Sequence, residues 1–218
     1  MSKFKTVFVC QNCGYVTPKW AGRCNNCDSW NSFIEEVELK EDKQKNQTKA
    51  IPGKAYPILE IEKNTFERQN MFFTEFDRVL GGGLVPGSLV LLGGEPGIGK
   101  STLILQSVLN LENRRVLYIS GEESESQIKL RADRIGIKNT DCFIYTETNI
   151  QKILATIEEL SPDLIIIDSI QTVASQDLSS SPGTISQIRE CTRLLQEYAK
   201  SSSTPIILIG HINKDGDI

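Results

Sequence analysis

The stretch that most constrains this chain is Gly94-Glu95-Pro96-Gly97-Ile98-Gly99-Lys100-Ser101. Apolar Ser88-Leu89-Val90-Leu91-Leu92 precedes it, and Thr102-Leu103-Ile104-Leu105-Gln106 follows. This is a Walker A phosphate loop in the setting it requires, with a strand running in and a helix running out. The glycines let the backbone curl so that successive N–H groups, and the positive end of the helix, face a triphosphate. Lys100 is expected on the β- and γ-phosphates and Ser101 on Mg²⁺, with Gly94 through Thr102 forming the cradle. A glycine-rich turn before a buried helix would explain the glycines but not the Lys-Ser pair. A nucleoside triphosphate is the expected ligand.

A strand feeding such a loop needs parallel neighbours, and residues 58–218 supply them. Strands are expected at 88–93, 116–120, 142–146, 164–168 and 205–210, and helices at 100–112, 124–136, 149–160 and 183–200. Near-continuous Val/Ile/Leu strands between helices predict an α/β fold, a parallel sheet covered by helices on both faces. Ile150, Ile153, Leu154, Ile157 and Leu160 recur at helical spacing and mark one buried face. No apolar run approaches the roughly 18 residues a membrane span requires. Met1-Ser2-Lys3-Phe4-Lys5 lacks the apolar core of a secretory signal. A cytoplasmic protein without membrane contact is expected.

Cys10-Gln11-Asn12-Cys13 and Cys24-Asn25-Asn26-Cys27 are two Cys-x-x-Cys hooks ten residues apart. Each hook turns two thiolates toward one ion, and two hooks complete a tetrahedron suited to structural zinc. Redox dithiols and an iron–sulfur cluster are the competing readings. Residues 1–34 are too few to build a core alone, so Zn²⁺ is expected to supply the folding energy. Tyr15, Trp20, Trp30 and Phe33 either stack on bases, with Lys19 and Arg23 on phosphates, or pack the module. Cys142 and Cys191 read as small apolar packing groups. Residues 35–57 are charged and poor in apolar side chains around 38–47, with Pro52-Gly53 and Pro57 following; a flexible linker is expected.

The net charge of −4 is uneven, +3 over residues 1–56 and −7 over 57–218. An acidic core excludes a broad basic sheath for duplex DNA, so any nucleic-acid contact must be local.

Leu164-Ile165-Ile166-Ile167-Asp168 is a buried strand ending in a carboxylate, the Walker B pattern, which places Asp168 beside Ser101 on Mg²⁺. Glu122 and Glu123 follow the strand at 116–120 and so lie on the ligand-binding edge of the sheet. One is a candidate to orient attacking water, and the other is a helix-terminal acid. His211, the single histidine, ends the last expected strand on the same edge and is a candidate γ-phosphate sensor.

Together these residues resemble the RadA/Sms family of bacterial DNA repair proteins, a branch of the RecA-like motor ATPases. The resemblance is carried by the four cysteines with Trp20-Ala21-Gly22-Arg23-Cys24, by Glu75 through Ser88, and by Ile119-Ser120-Gly121-Glu122-Glu123-Ser124. It continues through Ile167 to Thr172 and Ser181 to Glu190. It implies a RecA-like P-loop NTPase core with an N-terminal zinc-ribbon-like module, and ATP/ADP, Mg²⁺ and Zn²⁺ as bound groups. It matches Glu122 to the catalytic glutamate, with Glu123 the near alternative, and His211 to the residue linking γ-phosphate to DNA-facing loops. Residues 174–186 match the first such loop, expected to be flexible.

The implied activity is DNA-dependent ATP hydrolysis in repair and homologous recombination, with branch migration of recombination intermediates. The implied partners are single-stranded DNA, branched intermediates, a recombinase and further copies of the chain, as a hexamer. An ATP-gated DNA- or recombinase-binding module without translocation is the alternative. A kinase related to circadian-clock ATPases is a third reading, though no phosphoacceptor is marked. Family members continue past the position of Ile218 with the rest of the motor core, a Lys-Asn-Arg-Phe-Gly motif and a Lon-protease-like domain. The resemblance therefore implies a C-terminally shortened chain, weakly active or inactive by itself.

Overall fold

The computed structural model describes residues 4–39, 56–60 and 67–211. The apolar runs of the sequence become five parallel strands: β4 (Leu89–Gly94), β5 (Val116–Ser120), β6 (Cys142–Thr146), β7 (Leu164–Asp168) and β8 (Ile206–His211). They lie in the order β4-β8-β7-β5-β6. Between them run α2 (Lys100–Leu109), α3 (Glu125–Ile135), α4 (Ile150–Leu160) and α5 (Ile185–Ser202), while the short α1 (Thr74–Val79) precedes β4. The strands β1 (Phe4–Cys10), β2 (Val16–Thr17) and β3 (Phe33–Leu39) form a separate antiparallel sheet, β2-β1-β3.

Side chains alternate across a strand, which explains why uniformly apolar strands are needed here. Val116, Tyr118, Leu164, Ile166, Ile207 and Ile209 pack on one face with Ile104, Val108, Ile128 and Ala132 of α2 and α3. Leu117, Ile119, Ile165, Ile167, Ile206 and Leu208 pack on the other with Ile153 and Ile157 of α4 and Cys191 and Leu195 of α5. The expected α/β sheet covered on both faces is what the structure shows. Helix ends follow local chemistry. Ser124 and Gln127 form a capping box on α3 and Asn149 caps α4. Gly183 takes φ +80°, so α5 starts at Ile185 rather than at residue 183.

One boundary needs correction. The linker expected from residue 35 begins later, because Glu35–Leu39 belong to β3 and pair with Phe4–Phe8 of β1. Charge in this stretch suggested a solvated segment, yet Glu36 is buried and accepts a hydrogen bond from Ser186 Oγ (2.8 Å) on α5. Of the rest of the expected linker, residues 40–55 lie outside the described residues.

The N-terminal module rests on the first turns of α5 and the segment leading into it. Arg189 donates to the Cys13 carbonyl (2.9 Å), and Ser179 Oγ both accepts from Val37 N–H and donates to Val37 C=O, each at 2.9 Å. Gly14 admits the Arg189 guanidinium, since a Cβ there would lie 2.1 Å from Arg189 Nη1. The 174–186 segment, expected to be flexible, is also threaded by the buried Gln187. Its amide bonds the backbone of Ser175, Leu178 and Ser180.

Candidate nucleotide and metal sites

Strand order determines what can meet at the C-terminal edge of the larger sheet. Gly94 pairs with His211 between β4 and β8, and Ser120 pairs with Asp168 between β5 and β7. Four sequence segments far apart in the chain therefore end side by side. Open α/β sheets bind ligands at this edge.

The phosphate loop has the features its sequence requires. Gly97 and Gly99 take φ +80° and +94°, and a Cβ at either would meet nothing within 4 Å, so the loop faces open space. Gly99 is the N-cap of α2 without a side-chain cap, leaving the first amides of that helix available to an anion. Glu95, Pro96 and Ile98 are exposed along the loop, Thr102 is exposed on the first turn of α2, and Lys100 is buried. Lys100 Nζ donates to the carbonyls of Gly94 (2.7 Å) and Glu95 (2.8 Å) and lies 3.3 Å from His211 Nδ1. These residues fit a bound triphosphate: an open, glycine-lined cradle with one cation held at its rim.

Asp168 is 3 % exposed, and both of its oxygens are engaged. Ser101 Oγ donates to Oδ1 (3.0 Å) and Tyr118 Oη donates to Oδ2 (2.5 Å). Ser101 and Asp168, the hydroxyl and carboxylate expected on Mg²⁺, are thus brought together, and all-oxygen donors suit that ion. Burial, then the Asp168 charge, pushes the Tyr118 phenol well above its usual pKa, so it remains a donor.

The two glutamates separate clearly. Glu123 is taken by Arg131 of α3 in a two-pronged ion pair (3.0 and 2.7 Å). Glu122 instead turns toward the ends of β7 and β8. Its Oε1 accepts from Ser169 Oγ (2.5 Å) and lies 3.2 Å from His211 Nε2. With hydrogen on Nε2, His211 donates to Glu122 and accepts from Lys100, a tautomer assigned from these partners. Gln171 Nε2 donates to the His211 carbonyl (2.9 Å) and holds that strand end.

Tyr118, Ser169 and Arg131 were not singled out in the sequence. The one signal for Tyr118 was a polar-tipped aromatic inside an otherwise aliphatic strand.

In the module, the sulfurs of Cys10, Cys13, Cys24 and Cys27 all lie within 4.8 Å of one another. Cys10–Cys27 and Cys13–Cys24 are 3.6 Å apart, close to the ~3.8 Å edge of a tetrahedral zinc–thiolate centre. The donor set and spacing fit one four-coordinate metal ion. Each hook closes on a left-handed residue, Gly14 (φ +70°) and Asp28 (φ +60°), whose amides donate to Cys10 and Cys24 carbonyls. Burial opposes ionisation of Cys10, but Ser32 and the amides of Asn12 and Cys13 outweigh it and bring the thiol to about 6. Burial pushes Cys13 up to about 11.

Phe33 is buried against the cysteines, whereas Tyr15, Trp20 and Trp30 are exposed, with the Arg23 guanidinium 5.9 Å from the Trp30 ring. Cys191 is fully buried and Cys142 half-buried, and burial raises their thiols to about 11 and about 12.

Comparison with known proteins agrees with this geometry. The family model described as AAA domain matches residues 56–217. The chain belongs to the AAA domain family. A second model, described as rubredoxin metal binding domain, matches residues 8–35, the span of the four cysteines. The resemblance to bacterial RadA is borne out. DNA repair protein RadA of Streptococcus pyogenes is 48 % identical over all of this chain, and that of Bacillus subtilis is 46 % identical. Both alignments cover 49 % of the relative, so the chain spans about half the length of the curated relatives it matches.

Among solved structures, a KaiC-like protein, PH0186 from Pyrococcus horikoshii OT3, matches with a TM-score of 0.57 at 19 % identity. That match covers 70 % of this chain and 74 % of the other. The RadB recombinase matches with a TM-score of 0.50 at 23 % identity, covering 67 % and 71 %. At such identities the likeness shows a shared RecA-like fold. No helix among the described residues is long and apolar enough to cross a membrane.

Proposed function

We propose that this chain is the ATP-binding part of a DNA-dependent ATPase of DNA repair and homologous recombination. It acts in the cytoplasm on single-stranded DNA and branched intermediates, beside a recombinase, and drives branch migration as a ring, a hexamer, of identical subunits. The observation that carries the hydrolytic reading is the Lys100–His211–Glu122 line across three strand ends, with contacts of 3.3 and 3.2 Å. Near-half identity to DNA repair protein RadA along the whole chain supports the DNA context.

In this reading, ATP phosphates lie on the amides at Gly97 through Thr102, and Lys100 exchanges its loop carbonyls for phosphate oxygens. Ser101 and Asp168 hold Mg²⁺, which offsets charge on those oxygens. Glu122 orients the attacking water. Both of its hydrogen bonds go to Oε1, and Oε2 has no protein partner among the described residues. Glu123 is unsuited to that task while Arg131 holds both its oxygens. His211 touches both Lys100 and Glu122, and so responds to the γ-phosphate that moves either one. Cys10, Cys13, Cys24 and Cys27 hold structural Zn²⁺.

Steady-state ATP turnover with and without single-stranded DNA tests this function. DNA-stimulated turnover that Lys100→Ala removes is the expected result. ATP binding with no DNA-stimulated turnover overturns the motor and leaves the ATP-gated binding module.

A further inference from the structure

The two carboxylates of the candidate site are held by side chains from each other's strand. Tyr118 lies in the middle of β5, fully buried, and its phenol reaches across to Asp168 at the end of β7. Ser169 follows directly after β7, equally buried, and its hydroxyl reaches back to Glu122 after β5. The two strands are neighbours in register, Tyr118 beside Ile166 and Ser120 beside Asp168, so the two reaches cross the same seam in opposite directions.

A hydrogen bond to one oxygen of a carboxylate narrows the range over which its plane, and so its second oxygen, can turn. Tyr118 on Oδ2 leaves Oδ1 of Asp168 toward Ser101, 3.0 Å away on the metal side. Ser169 on Oε1 restricts Glu122, a 40 % exposed side chain whose other partner is the half-buried His211. A buried phenol needs a partner, and Asp168 is the one this phenol has among the described residues. Outer partners of this kind orient ligands and tune affinity.

We propose that Tyr118 and Ser169 are paired positioning residues, the first setting the metal-binding carboxylate and the second the water-orienting carboxylate. The proposal rests on the hydrolytic reading above, and it predicts two different defects from two similar bonds.

The test uses the whole chain, a fluorescent non-hydrolysable ATP analogue titrated with Mg²⁺, and turnover under saturating ATP. Tyr118→Phe keeps the ring and its packing and should raise the Mg²⁺ needed for half-maximal binding about tenfold, the lower end for lost outer partners. Binding in EDTA should not change. Ser169→Ala should leave Mg²⁺ dependence and analogue affinity unchanged while kcat falls about tenfold or more. A Mg²⁺ midpoint within twofold of wild type for Tyr118→Phe, or an unchanged kcat for Ser169→Ala, overturns the proposal. So does a fall in thermal midpoint for both variants with neither signature, which would show a structural role.

Asp168→Asn serves as the reference. If it also leaves Mg²⁺ dependence intact, the nucleotide-site reading itself fails. If it abolishes that dependence while Tyr118→Phe leaves the Mg²⁺ midpoint within twofold of wild type, the pairing alone fails.

Discussion

The N-terminal module and the α/β core reach a stable fold by different means. Among the described residues, the module buries Val7, Val9 and Phe33 as its carbon core, together with the ligand cysteines Cys10 and Cys24. The core buries two apolar layers, one on each face of a five-stranded sheet. A segment that small cannot offset its chain entropy by burial, and its four clustered cysteines suit a metal ion that would supply the difference. The core has ample buried area and can afford polar groups at strand ends, where a rigid sheet holds them within tenths of an ångström. One region is built around its candidate metal ligands; the other carries its candidate site on a frame that is already folded.

The sharpest way to break this comparison is Cys27→Ser. On the proposed zinc reading, metal binding worth roughly 10 kcal/mol or more is the module's folding energy, so the variant should lose zinc and unfold residues 7–34. The core should melt as before. Metal analysis together with hydrogen exchange checks this, and a core that melts along with the module would show that the two are not separately held. Acid should give a graded version. Protons compete with the metal for the four thiolates, so metal should be released progressively as pH falls.

Next in size is Lys100→Ala. Removing the buried phosphate cation should cut turnover by about 10²–10³-fold, a range typical for one preorganised electrostatic group, with both regions still folded. Unchanged turnover would refute its role. Glu122→Gln should preserve nucleotide binding and lower kcat by about 10²-fold, whereas Glu123→Gln should mainly loosen Arg131. If only Glu123→Gln loses turnover, the assignment is reversed.

The smallest effect is expected at the seam. Arg189→Ala removes one hydrogen bond to the Cys13 carbonyl, worth about 1 kcal/mol. Zinc content and core melting should be unchanged, while amide exchange near 179–186 should quicken. Equal exchange in the variant would mean the seam does not brace that segment.

Some of this was legible in residue order. The strand–loop–helix around Gly94–Ser101 is a local motif, and its neighbours Val116–Ser120 and Leu164–Asp168 are apolar runs that only a covered parallel sheet can bury. The paired Cys-x-x-Cys hooks are local too. The end of β3 was less legible, because its charged residues are strand only through pairing with β1 and the cover that α5 gives Glu36.

Sequence alone pointed to the fold class, a phosphate-loop motif, a four-cysteine candidate metal site and a short list of acids for one sheet edge. Those properties depend on residues close in the chain or on the period of apolar side chains. The resemblance favoured Glu122, but only tertiary structure showed what holds each glutamate. Arg131 on α3 takes Glu123, and Ser169 and His211, 47 and 89 residues away, take Glu122. It alone paired Tyr118 with Asp168 across 50 residues. Such choices follow from strand order and side-chain reach in space, which no spacing along the chain encodes.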